Sequence, residues 1–290
     1  MKSDFEMLIP HYNDEVDLSE LLHGIIETNV KHKPKCIHVV NDGESSDDFL
    51  KICTEYAKYL PIRIYEVEHA GHIKIIHDFM MSTDAKNVLV SHSDVKLKCN
   101  NASLSYYDPV GVLGFYISDN DISGISCYSL SSGRGLHKQV SQSDNFISYG
   151  LRTLDNSKSF GTLYAGFKAS FPLRETFGEF QRCLSFDDKF YALNSAVFKR
   201  VGGFSDSYFD YLYYLDDYFG RCRMDLGLHC IFTNQTAVKH EVRESKPEGS
   251  KAFNNNEKYQ LFYDNWSGNE FMNSKCLRDS VYDSNDIRLN

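Results

Sequence analysis

Through the first 95 residues, short apolar runs alternate with stretches of helical periodicity. Residues 7–10 (MLIP), 36–40 (CIHVV), 62–67 and 87–91 (NVLVS) read as strands. Between the first two, Leu18, Leu21, Leu22, Ile25 and Ile26 recur at helical spacing, with Asp17 or Ser19 placed to cap the start. Residues 46–59, with acidic residues near their start, and residues 72–82 read as two further helices. Such alternation signals βαβ units around a mostly parallel central sheet flanked by helices, an α/β fold.

The middle of the chain is less regular. Residues 121–128 alternate enough for a strand, and residues 129–159 are rich in Ser, Gly, Asn and Asp, so 100–180 reads as a loop-rich insertion. Patterning resumes over 191–200, breaks at Gly202-Gly203, and continues as an aromatic helix over 208–224, which Gly227 is placed to stop, and a strand over 228–233. From Lys246 the chain turns polar, with a modest amphipathic stretch over 259–271. The expected organisation is one domain over 1–245 and an extension over 246–290, without internal repeats.

Composition narrows the function. Lys and Arg number 31 against 40 Asp and Glu, a formal charge of −9, which excludes a general nucleic-acid binder with a basic face. No apolar run approaches the roughly 18 to 20 residues that span a bilayer, and no signal-peptide core precedes the first strand, so any membrane contact is expected to be peripheral. The eight cysteines form neither a Cys-x-x-Cys pair nor a zinc-finger spacing with histidine, so reduced, buried thiols in a cytoplasmic protein are expected. With 19 Tyr and 20 Phe, aromatics reach 14%, enough to fill a core and leave a platform for a ring-shaped ligand.

Polar clusters sit at the carboxyl ends of three of the four early strands, where open α/β sheets bind ligands. An Asp fixed after a strand, as Asp42 is in Asn41-Asp42-Gly43, can accept a hydrogen bond from the imide N–H of uracil or thymine while Tyr12 offers a ring face to the base. The plain alternative is a tight turn needing positive φ. Ser93-Asp94 after the fourth strand can equally be a turn or a helix cap.

The order of the motifs goes further. Ile9-Pro10-His11-Tyr12-Asn13, Val40-Asn41-Asp42-Gly43 and Ser93-Asp94 are followed by Arg200-Val201-Gly202-Gly203-Phe204, Leu215-Asp216-Asp217, Arg221, Gly227 and His240. This progression, over residues 5–245, resembles family 2 glycosyltransferases, which have the GT-A fold. The resemblance implies a single GT-A-like (Rossmann-like) catalytic domain that moves a sugar from a nucleotide-diphosphate donor, UDP-linked by preference, to a hydroxyl of a glycan or lipid-linked glycan, with inversion.

It implies nucleotide contacts at Pro10, His11, Tyr12, Asn13, Asp42, Gly43 and Ser93, while Lys74, Arg243 and Lys246 are candidates for the diphosphate. A divalent cation, Mn²⁺ or Mg²⁺, would sit on Asp94 and His240. His92 stands where the family has the first carboxylate of Asp-x-Asp, and would add an imidazole ligand, which suits Mn²⁺ better, or contact only the ribose. The general base would be Asp216 or Asp217: counting from Gly227 favours the first and from Arg221 the second. Leu215 replaces the family's usual Glu. Tyr213, Tyr214 and Gly203 are expected on the acceptor side, together with the 100–180 insertion.

Two rivals remain at this level. A sugar nucleotidyltransferase would need a Gly-rich, basic loop after strand one, and His11-Tyr12-Asn13-Asp14-Glu15 is neither. A catalytically inactive carbohydrate-binding member of the same fold would accommodate His92 and Leu215.

Overall fold

A computed structural model describes residues 4–28, 32–43, 46–97, 108–119, 122–131, 148–149, 151–154, 163–165, 180–183, 185–186, 188–209, 213–240, 261–262, 264–266 and 281–282. The first half runs β1 (Phe5–His11), α1 (Glu15–Glu27), β2 (Ile37–Asn41), α2 (Asp47–Tyr56), β3 (Ile62–Glu66), α3 (His72–Ser82), β4 (Asn87–Ser91), β5 (Val95–Lys96), α4 (Pro109–Asp119) and β6 (Gly124–Ser131). Short strands β7 (Ser148–Tyr149), β8 (Leu151–Leu154), β9 (Leu163–Ala165), β10 (Phe180–Cys183) and β11 (Ser185–Phe186) follow. Then come β12 (Phe190–Asn194), α5 (Ser195–Val201), α6 (Tyr214–Leu226), β13 (Cys230–His240) and β14 (Val281–Tyr282).

The main sheet has the order β14-β10-β13-β6-β12-β4-β1-β2-β3. β1, β2, β3 and β4 are mutually parallel, β12 is antiparallel to both β4 and β6, and β13 is parallel to β6. From β3 to β13 only β12 runs against the rest, so the sheet is mostly parallel as expected.

Strand residues alternate between two cores. Met7, Ile9, Leu89, Phe190 and Ala192 pack with α1, α2 and α4 on one face. Leu8, Val88, Val90, Tyr191 and Leu193 pack with α3, α5 and α6 on the other. A sheet covered on both faces needs apolar side chains at both parities, which is why these strands read as continuous apolar runs.

Several local readings change. Asp14, not Asp17 or Ser19, caps α1: its side chain accepts from the Asp17 N–H, and Asp17 is buried. The 100–180 stretch contains helix α4, whose sequence PVGVLGFYISD is apolar on nearly every side and shows no amphipathic stripe. Its Gly114 lets the Phe5 ring come close, since a Cβ there would lie 2.3 Å from Phe5. The strand expected over 121–128 is β6, three residues later at each end.

The helix expected over 208–224 is a 3₁₀ turn at Asp206–Tyr208 and then α6, which starts only after Tyr213 at φ 67. Gly227, at φ 67, ends α6 in the left-handed conformation as read. The strand expected over 228–233 continues to His240, past an irregularity between Thr233 and Ala237. Most of 129–159 lies outside the described residues, as does most of 246–290. The described part of the C-terminal stretch is integrated with the domain: Phe262 and Trp266 are buried in the core of α3, α5 and α6, and β14 pairs with β10.

All five cysteines whose state is described, Cys36, Cys53, Cys127, Cys222 and Cys230, are free and buried. No described helix is long and apolar enough to cross a membrane.

Candidate active site

The carboxyl ends of β1, β2 and β4 lie side by side, because the parallel register pairs His11 with Asn41 and Leu8 with Val90. At the end of β2, Asn41 Oδ1 accepts from the Gly43 N–H, closing the turn. Gly43 lets the Asn13 side chain lie against the turn, since a Cβ there would come 2.0 Å from Asn13 Oδ1 and push it aside. Asn13, at φ 48, and Tyr12, 58% exposed, form the open wall of this corner, with the Tyr12 ring 6.3 Å from that of His69.

Asp42 is buried, and its two oxygens accept from the Ala70 N–H at 2.5 Å and the Gly71 N–H at 2.9 Å. It therefore anchors the loop that opens α3. A carboxylate offers about four acceptor positions, so these bonds leave room for a base. Pro10 is buried in β1, and Ser93 is half-buried in the turn after β4. Lys74 sits on the exposed side of α3, bonded to Asp78 at 2.5 Å. Arg243 and Lys246 lie outside the described residues.

His11 is 1% exposed, stacked on Phe49 at 5.4 Å, with neither ring nitrogen hydrogen-bonded. It faces the core beneath the Tyr12 and Asn13 corner, and burial lowers its pKa. Burial likewise lowers those of His38, His77 and His92. Below the ordinary value of 6.5 the unfolded chain takes up protons that these folded imidazoles refuse, so stability is present above that pH and is lost as pH falls through it. His11→Leu is expected to add about 1 kcal/mol near pH 6 by removing unsatisfied buried polar atoms. Urea denaturation at a series of pH values should show the variant with a shallower loss of stability in acid.

Strand pairing builds the next cluster. β13 lies antiparallel to β5 with His240 opposite Val95, which brings His240 Nε2 to 2.8 Å from Asp94 Oδ2. His92 Nδ1 is 4.0 Å from Asp94 Oδ1. One ligand atom from each of His92, Asp94 and His240 lies within 4.8 Å of the others. Asp94 Oδ1 and His92 Nε2 are buried without hydrogen-bond partners.

Burial raises the Asp94 carboxyl, but the His240 hydrogen bond and the neighbouring positive charges outweigh it and hold its pKa at about 2. Burial, aided by Lys189, lowers His92 to about 3, so its imidazole is neutral and able to donate a lone pair. An anionic oxygen ligand and two imidazoles, with buried acceptor positions unspent, fit a divalent cation, and the nitrogen content suits Mn²⁺ better than Mg²⁺.

Sequence reasoning missed Asp188 and Lys189. Antiparallel pairing of β12 with β4 sets Phe190 opposite Ser91, and the His92 N–H donates to the Lys189 carbonyl at 3.0 Å. His72, His92 and Asp188 form a second group of closely spaced ligand atoms, but Lys189 Nζ already donates to Asp188. An ammonium thus stands beside the cluster. An acidic pair and a lysine directly before an apolar strand were the available signal.

His72 connects this cluster to α6, with its ring 5.4 Å from His92 and 6.3 Å from Tyr214. Asp216 and Asp217 lie in the first turn of α6, 1% and 5% exposed. Asp217 is held on both sides: Oδ2 accepts from Arg221 Nε at 2.9 Å and Oδ1 from Trp266 Nε1 at 3.1 Å. Arg221 also donates to the carbonyls of Val201 and Gly203, tying α6 to the Gly-Gly-Phe turn.

Gly203, at φ 74, has no space for a side chain, because His77 lies 2.6 Å from where its Cβ would be, and His77 Nδ1 accepts from the Phe204 N–H. The two tyrosines expected at the acceptor are engaged within the protein. Tyr213 stacks on Phe262 at 4.8 Å and 16°, and Tyr214 is 2% exposed, edge-on to Phe204.

The comparisons agree with this architecture. The family model "Glycosyl transferase family 2" matches residues 7–96. No curated protein sequence matches the chain. Among solved structures, GalNAc-T7 with UDP, GalNAc and Mn²⁺ superimposes with a TM-score of 0.64 at 14% identity, covering 93% of this chain and 49% of that one. Mannosyltransferase PcManGT from Pyrobaculum calidifontis, with GDP-Man and Mn²⁺, gives 0.52 at 14% identity, covering 84% and 59%. S. aureus TarS 1-349 with UDP-GlcNAc gives 0.53 at 17% identity, covering 85% and 60%. The chain spans about half to three fifths of the length of these proteins. The solved structures show that the chain has the GT-A fold, and its residues 7–96 match the glycosyl transferase family 2 model.

Proposed function

We propose that the chain transfers a sugar from a nucleotide-diphosphate donor, UDP-linked by preference, to a hydroxyl of a glycan or lipid-linked glycan in the cytoplasm, with inversion. The observation that carries this reading is the His92, Asp94 and His240 group at the carboxyl end of β4. It lies beside the open Tyr12 and Asn13 corner, where the base would rest near Asp42. Two of the similar structures contain UDP or a UDP-sugar and another contains GDP-Man, which supports a sugar-nucleotide donor.

Asp94, His240 and His92 would hold the cation, which when bound neutralises the diphosphate leaving group. Asp217 is held by Arg221 and Trp266, and Asp216, the residue that counting back from Gly227 favours, is the base. It accepts the acceptor's hydroxyl proton as that oxygen bonds to the anomeric carbon and the bond to the diphosphate breaks on the opposite face. Lys189, paired with Asp188, sets an ammonium against the second carboxylate on the floor of the site.

Thermal shift with UDP, dTDP, GDP and CMP, with and without Mn²⁺, tests the donor. UDP at about 100 times its Kd is expected to add roughly 2.7 kcal/mol, and to do so best with Mn²⁺. No shift with any of the four would overturn the reading.

A further inference from the structure

The C-terminal stretch reads as a polar extension, yet its described residues touch α6 at its start and along its first two turns. Phe262 stacks on Tyr213, the residue at φ 67 from which α6 begins. Asn265 Nδ2 donates to the Tyr208 hydroxyl at 3.2 Å, in the turn ahead of α6. Trp266, the only tryptophan of the chain, is 4% exposed and donates its indole N–H to Asp217 Oδ1. Its six-membered ring lies over Gly220, where a Cβ would come within 2.5 Å.

We infer that Trp266 is a positioning residue for the transfer step: its indole N–H and ring fix the first turn of α6, and with it Asp216, against the cation-ligand cluster. The inference rests on the proposed transferase reading. A buried carboxylate bonded by Arg221 alone could turn its second oxygen toward the cleft. With the indole in place both Asp217 oxygens are spent in holding the turn that carries Asp216.

The strained left-handed start at Tyr213 needs support from outside the helix, because a non-glycine residue in that conformation is costly and persists only where surrounding contacts over-determine it. The Phe262 stack supplies such a contact. Misplacement of a reacting group by about 1 Å can cost on the order of a hundredfold in rate.

The test uses the full chain with its Mn²⁺-dependent donor and acceptor. Trp266→Phe removes the N–H together with the outer part of the ring over Gly220; Gly220→Ala keeps every polar group and displaces the ring. Both are expected to lower kcat on the order of tenfold or more while donor KM and UDP affinity stay within about twofold. A role in stability alone would lower the melting temperature and leave kcat per folded molecule unchanged, so kcat is read at a temperature where the variants are folded by circular dichroism.

Because the chain has one tryptophan, its emission reports this contact directly, and Asp217→Asn should shift it in the unliganded protein. If Trp266→Phe and Gly220→Ala are folded and turn over at the wild-type rate, the inference fails and the transferase reading stands. A wild-type protein that binds and turns over no nucleotide sugar overturns both. Should neither variant fold, an emission unchanged in Asp217→Asn still overturns the inference.

Discussion

Asp216→Asn is expected to leave UDP and Mn²⁺ binding intact and to lower sugar transfer by on the order of 10²- to 10⁴-fold, the range that a positioned general base contributes. Asn keeps the size of the side chain and removes its ability to take a full proton. The loss should therefore fall on kcat, with donor KM nearly unchanged. The neighbouring substitution separates two roles that the sequence leaves together. Asp217→Asn weakens the bonds to Arg221 and Trp266, so it should lower the melting temperature, and its rate loss should follow the loss of folded protein. Single-turnover rates beside melting curves decide the matter. Full activity in Asp216→Asn would remove it as the base.

Asp94→Asn is the second large effect. The carboxylate is the anionic member of the proposed ligand group and is hydrogen-bonded by His240. Its replacement is expected to abolish Mn²⁺ binding by titration calorimetry and to cost several kcal/mol of leaving-group stabilisation. Transfer would then fall on the order of 10²- to 10³-fold. His240→Ala should weaken the cation less, since it removes a neutral ligand and leaves the charge. Activity that persists in Asp94→Asn and ignores chelators would mean that the diphosphate is neutralised by other groups.

The sequence foretold elements best where burial on both sheet faces made a strand run continuously apolar or where a helix kept one polar side. The boundaries of α3 and β4 agree with the reading to the residue. α4 escaped because a helix packed against the sheet and neighbouring strands needs apolar residues on almost every side, and its two glycines resemble breaks. α6 was read as starting early because the aromatic run before it has no proline or glycine, while the actual break is a left-handed Tyr213.

The site was legible in part, since Asp94, His92 and His240 could be picked out by order and then met through strand pairing. Asp188 and Lys189 were not, because their proximity to His92 comes from an antiparallel strand about a hundred residues later. The occupied state of Asp217 depends on Trp266, separated by 49 residues and set in a polar stretch.

The pairing of β5 with β13 also concerns how the molecule comes together. Asp94 and His240 are 146 residues apart, whereas β1 to β4 pair within less than a hundred residues of chain. Contacts of long sequence separation carry the larger entropy of loop closure and are the slow ones to form. Among the described residues, the candidate ligand group is thus completed by one of the contacts most distant in sequence. A fragment ending with the matched segment at residue 96 would contain His92, Asp94 and the Tyr12 and Asn13 corner, but neither His240 nor α6. The stretch that carries the family signature would hold only the donor's half of the proposed site, and the residues that would complete it come from the rest of the chain.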